Sequence, residues 1–70
     1  MKYWKIKSFV SLFTYEFGTD DTVTNDEIKE WFKSTYSSKV CNVEEVDKDE
    51  INSEWVICLE RKGNGFIVLR

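Results

Sequence analysis

The stretch Val23-Thr24-Asn25-Asp26-Glu27-Ile28-Lys29-Glu30-Trp31-Phe32-Lys33-Ser34-Thr35-Tyr36 carries several independent helix signals. Thr24 and Glu27 have capping-box spacing: the threonine hydroxyl can satisfy a free amide of the first turn while the glutamate reaches back. Val23 and Ile28 occupy the positions of a hydrophobic staple. Asp26 and Glu27 put negative charge at the positive end of the helix dipole. Ile28, Trp31, Phe32, Thr35 and Tyr36 recur along one helical face, and Lys29, Glu30 and Lys33 fall on the other. The expected element is a helix over residues 24–36, weakened at Ser37-Ser38. A helix of about three turns is marginal alone, so its apolar stripe must be packed against something else.

That something reads as a sheet. Residues 39–47 and 54–61 are rich in β-branched and aromatic side chains and are bounded by polar stretches. Lys62-Gly63-Asn64-Gly65 is a hairpin turn, and Phe66-Ile67-Val68-Leu69-Arg70 returns from it. A meander of these three strands, turning at Asp49-Glu50, would set Cys41 opposite Cys58 and Val43 opposite Val56. It would also set Glu45 against Glu54, a repulsive pair. In this register Val43, Val56, Cys58, Ile67 and Leu69 share a face that one helix cannot cover. They are therefore a candidate interface, with a homodimer as one way to close it.

Residues 3–17 are aromatic and β-branched, with Trp4, Ile6, Val10 and Leu12 alternating on one face and Phe9, Phe13, Tyr15 and Phe17 on the other. Ile6, Phe9, Val10, Phe13 and Phe17 also fit a helical stripe ending at Gly18. The strand reading is preferred, bent or bulged. The expected fold is a single α+β domain over residues 1–70, with order β-α-β-β-β. It has a mainly antiparallel sheet of about four strands and the helix on one face. The alternative replaces the first strand with an N-terminal helix.

At 70 residues, 41% apolar and 16% aromatic, the chain has the makings of a compact core. It contains no histidine, which removes the usual general base and the commonest metal ligand. Two cysteines cannot complete a zinc site, and Asp47-Lys48-Asp49-Glu50 lacks the central glycine of a calcium loop. There is no glycine-rich phosphate loop and no nucleophile–base pair. The expectation is a non-enzymatic protein without metal or cofactor. With no signal-like or membrane-length apolar run, it is expected to be soluble and cytoplasmic.

Charge is segregated within a net −3. Acids gather at Glu16, Asp20, Asp21, Asp26, Glu27 and Glu30, and again at Glu44, Glu45, Asp47, Asp49, Glu50 and Glu54. Lysines and arginines cluster near the two ends. This layout favours a protein partner with a basic surface and opposes nonspecific nucleic-acid binding. The functional expectation is a small acidic interaction module, by analogy with phage-encoded inhibitors that occupy the nucleic-acid-binding surface of a host protein. Asp20, Asp21, Asp26 and Glu27 form its leading contact corner, and their replacement is expected to spare the fold. Lys62-Gly63-Asn64-Gly65-Phe66-Ile67-Val68-Leu69 resembles the RNP1 segment of RNA-recognition and cold-shock domains, departing from it at Asn64 and Leu69. That resemblance implies single-strand binding, with Trp4, Lys5, Lys7 and Arg61 nearby, and stands as the alternative. A third expectation is an accessory protein that self-associates through the uncovered sheet face.

Overall fold

The computed structural model describes residues 1–8, 13–36, 41–52, 54–63 and 65–69. Expectations that rest on Phe9, Val10, Leu12, Ser37-Ser38, Asn64, Arg70 or the Cys41 side chain lie outside the described residues. The elements run β1 (Lys2–Ser8), β2 (Thr14–Thr19), α1 (Asn25–Thr35), β3 (Cys41–Val46), β4 (Ile57–Lys62) and β5 (Gly65–Val68). A single 3-10 turn, Lys48–Glu50, follows β3. The five strands form one sheet in the order β3-β1-β2-β4-β5, antiparallel except where β2 meets β4. The architecture is α+β, as expected, with one strand more than the sequence suggested.

The helix forms where its local signals place it. Thr24 is the N-cap and Tyr36 the C-cap, and the capping box is complete: the Thr24 hydroxyl accepts from the Glu27 amide, and the Glu27 carboxylate accepts from the Thr24 amide. The staple residues Val23 and Ile28 are fully buried, as is Phe32, against Trp4, Ile6, Phe17 and Leu59 of the sheet. Trp31 packs edge-on against both Phe17 and Phe66.

Residues 3–17 contain two strands of a hairpin rather than one long strand, and the helical alternative is not adopted. The register pairs Trp4 with Phe17 and Ile6 with Tyr15. A continuous strand would hold these even- and odd-numbered residues on opposite faces. Reversing the chain brings Trp4, Ile6, Tyr15 and Phe17 onto one face, under α1.

The meander over the last three strands is also overturned. β3 pairs with β1, setting Val43 beside Ile6 and Glu44 beside Lys5. Only β4 and β5 form the expected hairpin, with Gly63 at positive φ in its turn. β3 and β4 are separated by β1 and β2. Three strand spacings, about 14 Å, therefore divide the Cys41 backbone from that of Cys58, well beyond the roughly 7 Å limit for a disulfide. The repulsive Glu45–Glu54 pairing disappears with the meander. In its place Lys5 lies between Glu44 on β3 and Glu16 on β2.

Two crossovers close the fold. β2 leads through α1 to β3 on one face of the sheet. β3 then leads to β4 through residues 47–56 on the other face, where the Asn52 amide donates to Glu16 Oε1 at 2.9 Å and Ile51 and Val56 come beside Tyr3. The two crossovers run in opposite directions on opposite faces. They therefore share one hand, the regularity expected of connections between parallel strands. The second sheet face is thus covered in part by the chain's own crossover.

Candidate functional site

The first acidic segment is largely tied into the fold. Asp20 accepts from the Thr22 amide at 2.8 Å and from the Thr22 hydroxyl, and the latter bond leads in holding its carboxyl below the usual range. Asp21 pairs with the N-terminal amino group at 2.8 Å. Glu27 completes the helix cap and takes both guanidinium nitrogens of Arg61, which reaches across from β4. That bond to Arg61, then the Thr24 amide, depresses the Glu27 carboxyl to about 2. Of the expected corner of Asp20, Asp21, Asp26 and Glu27, only Asp26 remains without a partner among the described residues, and Glu30 joins it one turn along.

Asp26 and Glu30 line a cleft of about 480 Å³ between α1 and the β4–β5 hairpin. Its other walls are Glu27, Trp31, Ser34, Arg61, Gly65 and Phe66. Gly65 sits close under Trp31: an added Cβ would meet the Trp31 ring at 3.5 Å. Arg61 occupies one end, bonded to Glu27 and stacked 5.6 Å from the centre of the Phe66 ring. The cleft therefore already holds one guanidinium between a carboxylate and an aromatic ring. The other end offers Asp26 and Glu30 beside Trp31, a similar pairing of carboxylate with ring.

The second acidic segment spreads over an edge and a crossover. Glu44 and Glu45 lie exposed on β3, an edge strand, and point to opposite faces. Glu50 accepts from the Asp47 amide at 3.2 Å, and Asp47 and Asp49 are exposed. The candidate sheet-face set is split. Val43 packs against the core under α1, Val56 precedes β4, and Cys58 lies opposite the buried Gly18. Ile67 and Leu69 are exposed at the β5 edge. Val43 is parted from the others because β3 does not pair with β4, whereas the β4–β5 register, with Arg61 opposite Phe66 as expected, keeps Cys58, Ile67 and Leu69 on one face of the hairpin.

The RNP1-like segment is the β4–β5 hairpin. Phe66, its best-matched aromatic, is turned under α1 against Trp31 rather than outward, and its strand is an edge. A second cleft, unforeseen from the sequence, lies at the start of β2 between Phe13, Tyr15 and Trp55, and measures about 450 Å³. Its signal in the sequence was Trp55 beside Glu54, but that tryptophan read as part of a strand. No group of three or more acidic or cysteine side chains among the described residues is placed to hold a metal ion, and no helix there is long and apolar enough to cross a membrane. Comparison with protein-family models, curated proteins and solved structures returns no significant match.

Proposed function

We propose that this chain is a small protein-binding module that presents carboxylates to a basic surface on another protein, of the kind that nucleic-acid-binding proteins carry. The observation behind this reading is the helix-side cleft. Asp26 and Glu30 stand exposed beside Trp31 with no cation paired to them among the described residues, while the nearby Arg61 is already neutralised by Glu27. A partner's arginine or lysine would place its charge between the two carboxylates and its stem along the ring. Occupying the nucleic-acid site of such a partner would make the chain an inhibitor.

The test is capture of partners from a cell lysate by the immobilised chain and by its Asp26→Asn/Glu30→Gln variant. Retention is expected at about 0.15 M salt and loss at about 0.5 M, because exposed charge contacts are screened. The double variant should lose the same proteins at the lower salt. Proteins that stay bound to the variant, or that withstand the higher salt, would contradict the reading.

A further inference from the structure

The two most exposed large aromatics among the described residues, Phe13 and Trp55, are both 71% exposed and wall the same cleft, with Tyr15 and Ile57 also lining it. Solvent contact on two such rings forgoes a large burial free energy. The turn that holds Trp55 out is nonetheless closely bonded. Asn52 Oδ1 accepts from the Glu54 amide at 2.9 Å, and Asn52 O accepts from Trp55 and Val56 at 3.0 and 3.1 Å. The Asn52 amide in turn is anchored on Glu16 of β2. The indole is thus presented from a fixed backbone, which lowers the ordering cost of binding against it. The charged residue that lines the cleft is an acid, Glu16, and Glu54 adjoins Trp55; no lysine or arginine lines it among the described residues. By register Lys5 stands opposite Glu16 and Lys7 opposite Thr14, and neither lysine lines the cleft.

We infer that the Phe13–Trp55 cleft is a docking site for a partner segment that inserts one apolar side chain flanked by lysine or arginine. This rests on the reading of the chain as a module for basic partners, and supplies the apolar anchor that the helix-side cleft lacks. A second copy of the chain is a poor occupant, because a twofold contact here would bring the acidic rims together. The burial of one aromatic anchor between Phe13 and Trp55 would dominate the affinity, and the rim acids would set the partner's charge.

The three tryptophans make the test direct. Trp4 is buried with its indole N–H bonded to Thr19, Trp31 lines the helix-side cleft, and Trp55 lines this one, so three indole N–H signals in a nitrogen-15 NMR spectrum report three places. The probe is a short capped peptide of lysines around a central Phe, with its glutamate counterpart and a Gly-centred lysine peptide as controls. The Phe-centred lysine peptide should shift the Trp55 indole and the Thr14 and Ile57 amides, saturably, while Trp4 stays still. Trp55→Ala, followed by those amides, should weaken it about tenfold or more. Both controls should bind at least about tenfold more weakly. Shifts at Trp31 alone would overturn the docking site and leave the acidic-module reading standing. Equal binding of the glutamate peptide at Trp55 would overturn the charge assignment of this site, and no shift at either tryptophan would overturn both readings. A Trp55 signal that moves with protein concentration alone would make the occupant a second copy and overturn the proposal.

Discussion

Trp4 shows how one hydroxyl can matter to a small core. Trp4 is 1% exposed, and its indole N–H donates to Thr19 Oγ1 at 2.8 Å; the Thr19 hydroxyl, equally buried, donates in turn to the Asp20 carbonyl. Thr19→Val keeps the shape and removes the acceptor, leaving a buried donor without a partner. The expected cost is about 1–3 kcal/mol, read as a lower urea midpoint at unchanged m-value. Thr19→Ser, which keeps the hydroxyl, should lose less; equal losses would show that the hydrogen bond is not the cause. The burial of Trp4 could be anticipated from its alternation with Ile6. Its bond to Thr19 could not, because the two residues meet only through the hairpin register. Asp20 and Glu27 carry the same lesson. As letters they are surface acids, but in the fold one closes the turn onto Thr22 and the other holds Arg61. Replacing either one therefore removes a contact of the fold as well as a surface charge.

At the level of elements, α1 was legible because its signals are local: the Thr24–Glu27 cap, the Val23–Ile28 staple and the buried stripe lie within a few residues of one another. The strands were legible as strands but their partners were not, since pairing is decided by residues far apart. Two clues were nonetheless present. A single strand over residues 3–17 would have exceeded the usual length of about 3–10 residues, and the Glu45–Glu54 clash argued against the meander. The Arg61–Glu27 contact, which ties α1 to the β4–β5 hairpin, gives this level its prediction. The folded state lowers the Glu27 carboxyl from an ordinary 4.5 to about 2, first through the Arg61 hydrogen bond. A carboxyl so depressed adds stability above its unfolded value and loses it as pH falls through the folded one. Wild-type Tm should therefore drop between about pH 4.5 and pH 2. Arg61→Met should start lower at neutral pH and fall less steeply across that window. Parallel Tm profiles at low salt would show that the contact contributes nothing in solution, as many exposed ion pairs do not.

For the whole molecule, the topology divides the sheet unequally. β1 is paired along its length on both sides, by six register pairs to β2 and six to β3. The β4–β5 hairpin joins that body through only two backbone pairs, Phe17 with Ile57 and Gly18 with Cys58, in the parallel arrangement. Side chains add to this attachment, among them Leu59 in the core, Phe66 against Trp31, and Arg61 on Glu27. Stability should therefore be graded, with the hairpin opening before the three-stranded body unfolds. Native-state hydrogen exchange tests this. Amides of Trp4 and Ile6 should be protected at least about tenfold more than those of Glu60 and Arg61, a gap of about 1.4 kcal/mol in opening free energy. Phe66→Ala, which removes a staple while leaving the backbone pairs, should widen that gap by speeding exchange in β4 and β5 alone. If β1 and β4 exchange together in both proteins, the sheet unfolds as one unit and the division is wrong. The result also bears on binding, because the helix-side cleft has α1 for one wall and this hairpin for the other. The cleft is formed for partners only while the hairpin is seated, so Phe66→Ala should weaken binding at Asp26 and Glu30 without touching either carboxylate.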